Sequence, residues 1–451
     1  MTSLDASSPA LWSESPEARD TAVARVALVA AVDGEYSFAV PDALAGQVEP
    51  GRRVLVPFGR SREPQPAFCV AVAREPWTST LKPVAEVLDD TRLLSDELLD
   101  LGRWISRYYA TPLGRVLSAM VPEAIRSQRG FRIRRTVCLS EPEPVTAGEG
   151  ADAPTSGRRT SPGREAVLSA LREAGPMELE ELLTRTGVSR GVVSAMVKAG
   201  LLEIREEKVP AEAPDFDRPA VEPTFTLNDA QRGAIDRIVS AAREGRFRSI
   251  LLFGVSGSGK TEVYIHSIRN IVAAGRQAIF LVPEIALTSQ LVDRLASRVR
   301  DVAVIHSGLT GVQRSLTWAA IARGEKKVII GTRSAVFAPC PNLGLIIVDE
   351  EQEGSYKNQQ SPRFHTRDVA IKRAQMCGIP VVLGSATPSL ETWYNCTRYE
   401  HFERVPLPSR ISGLAMPSVE FVDMQDEARQ RKGIHLLSMR METRLKETLA
   451  A

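Results

Sequence analysis

The chain has 451 residues, a length that corresponds to two to four domains, and its 43% hydrophobic and 25% charged residues are typical of a soluble globular protein. The net charge of +2 excludes a uniformly basic protein, so any surface that binds nucleic acid must be a local patch. The five cysteines form no CxxC pair, and neither a signal peptide nor an apolar stretch of membrane-spanning length is visible, so we expect a cytoplasmic protein without a zinc ribbon or a disulfide framework.

The first 140 residues divide into an arm and a β-rich domain. Residues 1–22 are polar and acidic, which predicts a disordered arm. Within 23–140, four short β-type runs separated by glycine, proline and aspartate turns predict a small barrel or sandwich, and the leucine-rich stretch 95–109 predicts a helix. Arginines crowd around Phe131, and this cluster is either a solvated face or a contact for nucleic-acid phosphates.

The middle of the chain is predicted to hold a compact helical domain between two linkers. Residues 141–162 and 209–224 are rich in proline and polar residues and contain few large apolar side chains. The segment 163–208 has the order helix, helix, turn, helix, strand, which is the outline of a winged helix. Its third helix carries only Arg190 and Lys198 as basic residues, so a DNA contact and a protein contact remain equally open.

Residues 225–400 alternate between short apolar strands and helices. The strands are β-branched and continuously apolar, as buried parallel strands are. The pattern therefore predicts a parallel α/β domain.

A glycine-rich loop follows the first strand of this domain and opens a helix. Such a loop lets backbone N–H groups surround phosphates, while Lys260 adds a positive charge and the Thr261 hydroxyl can bind Mg²⁺. The candidate nucleotide-binding residues are Gly254, Ser256, Gly257, Ser258, Gly259, Lys260 and Thr261. We expect Lys260 to serve in catalysis as well as in binding.

A second apolar strand ends in two carboxylates, Asp349 and Glu350. Asp349 is predicted to hold Mg²⁺ and Glu350 to orient and polarise the attacking water. The alternative is a strand that ends in a solvated acidic turn. The phosphate-binding loop upstream favours the catalytic interpretation.

Two further loops follow strands of the same domain. Ser385 and Thr387 are small hydroxyl residues that can hydrogen bond to the carboxylates near the terminal phosphate. Thr332 and Arg333 suit phosphate contacts on a nucleic-acid strand. Taken alone, either loop is also compatible with an ordinary strand-to-loop turn.

Together these motifs resemble superfamily 2 helicases and, within them, the bacterial replication-restart family of primosomal protein N′ (PriA). The resemblance rests on the phosphate-binding loop with Thr261-Glu-Val-Tyr, on Gly331-Thr-Arg-Ser-Ala, on the stretch 343–351 and on Gly384-Ser-Ala-Thr-Pro-Ser. It extends to 282–288, 306–309, 54–60 and 108–114, and it covers about residue 23 to the end.

The resemblance implies a multidomain α/β fold. Its parts are a small β-rich amino-terminal domain that binds 3′ DNA ends (23–140), a winged helix (163–208) and one RecA-like P-loop NTPase lobe (225–400), with the second lobe absent. Residues 401–451 are then a connector toward that lobe. The zinc of full-length family members is not expected here, because its ligands are absent from this chain.

The implied function is an ATP-dependent 3′-to-5′ DNA helicase that assembles the primosome at stalled forks, with ATP and Mg²⁺ as cofactors. The implied ligands are branched or forked DNA and single-stranded DNA. Primosome and single-strand-binding proteins are the implied partners, and the location is cytoplasmic and nucleoid-associated, without membrane contact.

The family also has an aromatic-rich loop that couples DNA binding to ATP hydrolysis, and it falls here on 356–368. The resemblance assigns DNA contacts by stacking to Tyr356, Phe364 and His365 and by charge to Lys357 and Arg363. The alternative is a loop whose aromatic rings pack back on the sheet. Gln231 is a candidate adenine contact, the alternative being an ordinary helix start capped by Asn228.

This chain departs from the family at Gln352, where a histidine is usual, and at its end. A glutamine still forms hydrogen bonds but does not titrate near pH 7, which weakens the expected coupling of hydrolysis to DNA. Since arginine fingers belong to the second lobe, we expect residues 1–451 to be an incomplete member that binds ATP weakly, hydrolyses it poorly and does not unwind DNA. The alternatives are a non-catalytic fork-binding module that binds ATP, and a small-molecule P-loop kinase.

Overall fold

The computed structural model describes residues 19–30, 32–59, 63–77, 81–122, 131–140, 162–210, 216, 226–410, 419–430 and 435–450. The predicted arm up to residue 18 and most of both predicted linkers lie outside the described residues. The same holds for the side chains of Arg126, Arg129, Arg132 and Arg134 in the cluster around Phe131. None of the described helices has both the length and the apolar character that a membrane crossing requires.

A five-stranded antiparallel sheet forms the amino-terminal domain, in the order β2-β1-β4-β3-β5. Its strands are β1 (Arg19–Leu28), β2 (Glu35–Ala39), β3 (Arg53–Val56), β4 (Gln65–Trp77) and β5 (Glu86–Val87). The ends of the sheet meet, because the Ala39 N–H donates to the Lys82 carbonyl (3.0 Å) and the Val84 N–H donates to the Ala39 carbonyl (2.9 Å). The sheet is therefore curled toward the small barrel that the sequence predicts.

Two helices pack against this sheet, α1 (Asp96–Tyr108) and α2 (Leu113–Met120). The first is the predicted helix, and the Ser95 hydroxyl caps it by accepting from the Leu98 N–H. The second was not predicted. It lies so close to β1 that a Cβ on Gly114 would stand 1.8 Å from the Leu28 carbonyl oxygen, which requires glycine there.

The middle domain combines three helices with a small antiparallel sheet of order β7-β6-β8. Its elements are β6 (Phe131–Leu139), α3 (Pro162–Ala174), β7 (Met177–Glu178), α4 (Leu179–Thr186), α5 (Arg190–Lys198) and β8 (Leu202–Pro210). The β6 strand pairs with β8 over its whole length, so the sequence-based boundary at residue 140 separates two strands of one sheet. Local periodicity cannot reveal a pairing between strands so distant in sequence.

The third domain is a seven-stranded sheet with the order β11-β12-β10-β13-β14-β9-β15. Its strands are β9 (Arg248–Gly254), β10 (Gln277–Leu281), β11 (Val302–Ile305), β12 (Val328–Gly331), β13 (Leu343–Val348), β14 (Pro380–Ser385) and β15 (Phe402–Leu407). Its helices are α6 (Asp229–Arg243), α7 (Lys260–Ala273), α8 (Ser289–Ala296), α9 (Gly311–Ala322), α10 (Thr366–Cys377) and α11 (Leu390–Arg398), followed by α12 (Met424–Gln430) and α13 (Met439–Ala450).

All neighbouring strands of this sheet run parallel. The sheet continues past the predicted boundary at residue 400, because β15 pairs with β9. This strand lies at the edge of the sheet and is only partly buried, so its sequence need not be continuously apolar as the sequences of the other strands are. Its polar residues hid it from the sequence pattern. Because β13, β14 and β9 are adjacent and parallel, the loops that follow them open at one edge of the sheet.

The amino-terminal domain is docked on the third domain. The Arg373 side chain is fully buried; its Nε donates to Glu97 Oε1 at 2.7 Å and its Nη1 donates to the Val336 carbonyl at 2.6 Å. The His365 N–H donates to the Tyr109 hydroxyl at 3.1 Å. One hydrophobic cluster runs through both domains, so their relative placement is fixed by packing as well as by these bonds.

Candidate functional site

The glycine-rich loop between β9 and α7 has the backbone of an anion-binding turn. Gly257 and Gly259 have φ angles of +81° and +85°, a backbone conformation that is unfavourable for residues with a Cβ atom. A Cβ on Gly254 would stand 2.5 Å from Ser258 Oγ. The loop ends where α7 begins at Lys260, so the positive end of the helix dipole faces the loop.

A pocket of about 350 Å³ lies against this loop and brings the predicted residues together. Its lining comprises Val255, Ser256, Gly257, Ser258, Gly259, Lys260, Thr261, Arg294, Asp349 and Glu350. The loop lysine and the two carboxylates, distant in sequence, thus share one cavity at the edge of the parallel sheet. Lys260 Nζ donates to the Gly254 carbonyl at 2.8 Å.

The pocket has the donors and acceptors that a magnesium nucleotide requires. Ser258 Oγ is buried without a hydrogen-bond partner among the described residues. The Thr261 hydroxyl and the Asp349 carboxylate are hard oxygen ligands of the kind that Mg²⁺ prefers. The residues present therefore fit ATP and Mg²⁺.

A residue of α7, the helix that follows the phosphate loop, donates a hydrogen bond to the Asp349 side chain. The Tyr264 hydroxyl, itself fully buried, donates to Asp349 Oδ1 at 2.9 Å. Burial raises the pKa of Asp349 to about 6, against the opposing effect of the Tyr264 hydrogen bond; the neighbouring Glu350 carboxylate raises it further. A cation in the pocket would stabilise the ionised carboxylate. Tyr264 belongs to the motif Thr261-Glu-Val-Tyr, but the sequence alone predicts no role for it.

We expect Asp349→Asn to stabilise the protein in the absence of metal and nucleotide. A raised folded-state pKa gives stability that is fully present below the ordinary value of 3.8 and is lost as pH rises to about 6, so the ionised carboxylate costs stability at neutral pH. Removing it should add about 1–3 kcal/mol to the free energy of unfolding at pH 7.5. Urea unfolding with EDTA at pH 4 and pH 7.5 measures this. A variant no more stable than wild type at pH 7.5 would contradict the assignment.

Glu350 lies at a strained backbone position and takes part in a chain of hydrogen bonds. Its φ angle of +45° lies in the left-handed region, which costs about 1–3 kcal/mol for such a residue. Gln352 Nε2 donates to Glu350 Oε2 at 2.9 Å, and the Ser385 hydroxyl donates to Gln352 Oε1 at 2.6 Å. The Thr387 backbone N–H donates to Ser385 Oγ at 2.9 Å. The structure therefore connects the loop after β14 to the carboxylate.

Gly384 leaves room for the Tyr264 hydroxyl. A Cβ at this position would stand 1.7 Å from that oxygen and 3.0 Å from Asp349 Oδ1. We expect Gly384→Ala to destabilise the protein by about 1–3 kcal/mol through overpacking. In a Tyr264→Phe background the cost should be smaller, because the nearest atom is then gone. Urea unfolding of the four proteins of this cycle measures the coupling, and equal costs in both backgrounds would contradict it.

The Gln231 side chain forms its hydrogen bonds within the protein. Its side chain is 2% exposed, forms a capping box with Asn228 and donates from Nε2 to the Ser258 carbonyl at 3.1 Å. The predicted adenine contact is therefore not supported by the placement of its amide, which instead joins α6 to the phosphate loop. The alternative interpretation, a capped helix start, is present in the structure.

Glu351 is a site residue that the sequence interpretation missed. In sequence it follows Asp349 and Glu350 and precedes Gln352, and its side chain is fully buried. Its carboxylate accepts hydrogen bonds from Arg367 Nη1 (3.1 Å), the Ser389 N–H (2.7 Å) and the Thr392 hydroxyl (2.9 Å). The signal was available, since a third consecutive acidic residue after a buried strand requires an explanation. Its network ties the acidic loop to α10 and α11.

A second cavity, an open groove of about 720 Å³, contains the predicted nucleic-acid contacts Thr332 and Arg333. The amino-terminal domain forms part of its wall with Val29, Arg115, Ser118 and Ala119. Arg333 Nη1 donates to the Lys357 carbonyl at 3.2 Å, which joins this loop to the aromatic-rich segment. Arg363 is exposed in that segment.

The burial of Tyr356 and of most of Phe364 does not support the prediction that these rings stack on bases, although Phe364 lines the groove. The Tyr356 side chain is fully buried, with its hydroxyl donating to the Asp349 carbonyl at 2.7 Å, and Phe364 is 5% exposed and packs on Phe337 at 5.2 Å between ring centroids. Both rings are part of the core, as the alternative interpretation had it.

His365 and Lys357, which neighbour these rings in sequence, are partly buried or bonded within the protein. His365 is half-buried, and burial and the nearby Arg367 hold its pKa below the usual value. The lowered pKa favours the neutral imidazole. Lys357 Nζ donates to the Arg363 carbonyl at 2.6 Å and lies 5.4 Å from the Tyr109 ring centroid. The segment thus contacts the amino-terminal domain directly.

Comparison with known proteins identifies two domains. Residues 25–122 match the 3′DNA-binding domain (3′BD) of PriA, and residues 228–395 match the DEAD/DEAH box helicase family. The replication restart protein PriA of Bacillus subtilis is 32% identical, over 93% of this chain and 59% of that protein. The Chlamydia pneumoniae protein of that name is 34% identical over 81% of this chain and 49% of its own length, and the Haemophilus influenzae one is 34% identical over 84% and 51%.

The chain thus spans between 49% and 59% of the length of these three relatives. Both matched domains lie where the sequence motifs and the two cavities are found. By these two domains and these relatives, the chain is similar to the replication restart protein PriA over most of its length.

Proposed function

We propose that the chain is the nucleotide-binding and DNA-end-binding part of an ATP-dependent 3′-to-5′ DNA helicase that restarts replication at stalled forks. The observation that supports this most is the shared pocket of Lys260, Thr261, Asp349 and Glu350 at one edge of a parallel sheet. The relatives' name, replication restart protein, supports the biological setting.

Each pocket residue has a role in this proposal. Lys260 and the loop N–H groups bind the phosphates. Thr261 and Asp349 would hold Mg²⁺, which would neutralise charge on the transferred phosphoryl group. Glu350 orients a water molecule for attack on the terminal phosphorus and accepts its proton, while the bond from that phosphorus to the bridging oxygen breaks and ADP leaves. Gln352 and Ser385 fix the Glu350 carboxylate through their hydrogen bonds and couple it to the loop after β14.

The DNA ligands are forked or branched DNA and single-stranded DNA. Thr332 and Arg333 contact strand phosphates along the groove, and the exposed Arg363 contacts them from the aromatic-rich segment. Residues 25–122 bind the 3′ end. The three helices and small sheet of residues 131–210 act as a winged helix. Primosome and single-strand-binding proteins are the proposed partners, in the cytoplasm at the nucleoid.

The second candidate is a fork-binding module that binds ATP without using it for unwinding. The direct docking of the amino-terminal domain on the third domain favours it, because DNA-end recognition then requires no moving part.

A Lys260→Ala substitution in the chromosomal gene separates the two candidates. The motor proposal predicts loss of recovery from fork-stalling damage, as strong as in a deletion, with normal amounts of the protein. Lys326→Ala, a change of the same kind outside the pocket, serves as the control. If Lys260→Ala cells recover like wild type, the motor proposal fails and the binding module remains.

A further inference from the structure

An arginine on α8 lines the phosphate pocket. Arg294 lies on α8, the helix that follows β10, and it lines the pocket with Lys260, Asp349 and Glu350. Its side chain is 52% exposed. Neither the sequence motifs nor the matched domains assign it a role.

A buried carboxylate holds this arginine in place. Arg294 Nη2 donates to Glu262 Oε1 at 2.6 Å, and Glu262, in the first turn of α7, is fully buried. A fixed starting geometry reduces the entropy that a long side chain loses when it binds a ligand. Arg294 is thereby positioned next to the phosphate loop.

The buried charge of Glu262 does not require Arg294. The other oxygen of Glu262 accepts from Arg298 Nη1 at 2.5 Å, and the Arg298 side chain is 6% exposed. Arg298 thus compensates the carboxylate within the protein interior. Arg294 keeps one edge of its planar guanidinium on Glu262, and the exposed part of the side chain faces the pocket.

The charges of the pocket indicate what this free edge binds. Among the described residues that line it, the cationic side chains are Lys260 and Arg294, and the acidic ones are Asp349 and Glu350. Thr261, Asp349 and Glu350 mark the end where metal and terminal phosphate belong. A guanidinium binds phosphate oxygens in a bidentate manner more readily than an ammonium group does.

We propose that Arg294 binds the terminal phosphate of a nucleoside triphosphate and thereby distinguishes it from the diphosphate. The proposal rests on the proposed nucleotide-binding function of the pocket. Arg294→Gln is then expected to weaken Mg·ATP binding about tenfold, equivalent to about 1.4 kcal/mol, and Mg·ADP binding less than twofold.

Isothermal titration of the full 451-residue chain with Mg·ATP and with Mg·ADP tests this. Arg294→Lys should recover part of the preference for ATP, since charge remains but the planar fork is lost. Arg300→Gln is the matched control, because Arg300 is exposed and lies outside the pocket lining. Urea unfolding checks that Arg294→Gln remains folded, as expected while Arg298 still pairs with Glu262.

The outcomes separate the inference from the function on which it rests. Unchanged affinities for both ATP and ADP in Arg294→Gln, while wild type binds both nucleotides through Lys260, overturn the inference alone. An equal loss of both affinities overturns the assignment to the terminal phosphate. Absence of nucleotide binding in wild type overturns the proposed function and, with it, this inference.

Discussion

Glu350→Gln should lower the rate of ATP hydrolysis by about two to three orders of magnitude while leaving Mg·ATP affinity within about twofold. The reason is that an amide keeps the size of the side chain and its place beside Gln352, but it cannot accept a proton from water. The residue lies in the pocket with Lys260 and at a strained backbone position that the fold maintains. Single-turnover hydrolysis with excess protein measures the rate even where it is slow.

Glu353→Gln provides the matched control for this experiment. Glu353 follows in the same loop, and it does not line the pocket. Its substitution should leave hydrolysis close to the wild-type rate. If Glu350→Gln retained more than a tenth of the wild-type rate, Glu350 would not be the residue that activates water.

Arg367→Leu should destabilise the protein by about 3–5 kcal/mol. Arg367 supplies the positive charge that pairs with Glu351, and removing it leaves a fully buried carboxylate without a counter-ion. The loss should appear as a lower urea midpoint with cooperative unfolding retained. A second substitution, Glu351→Gln, should recover part of the loss, because the uncompensated charge is then removed as well.

Arg246→Ala gives the comparison for an exposed ion pair in the same domain. Arg246 and Glu244 are both largely exposed, so the urea midpoint should hardly change. A similar, small effect of Arg367→Leu would show that Glu351 is stabilised by its hydroxyl and N–H donors alone. The network around the acidic loop would then not depend on the ion pair.

The sequence indicated which residues share the pocket at the sheet edge, because its parts obey local rules. The glycine loop, Lys260 and the carboxylates after β13 each follow an apolar strand, and parallel strands deliver their following loops to one edge. The order of helices predicted for the middle domain is also observed, for the same reason. Gly187, at φ +67°, ends the second of them where the sequence places a turn.

The failures concern interactions between distant residues. Tyr356 and Phe364 are aromatic residues in a loop, and only the packing of that loop on the sheet decides whether their rings face solvent or core. The pairing of β6 with β8 and of β15 with β9 likewise joins segments that local periodicity cannot connect. Tyr264 and Glu351 were visible in the motifs, but their partners come from other loops.

The central claim is that Lys260 and Asp349 together bind a magnesium nucleotide at the edge of the third domain's sheet. Isothermal titration of Mg·ATP into wild type and Lys260→Ala, with and without EDTA, tests it most directly. We expect measurable binding by wild type that EDTA weakens and that Lys260→Ala weakens at least about tenfold. Equal affinity of the two proteins, or no effect of removing the metal, would contradict it.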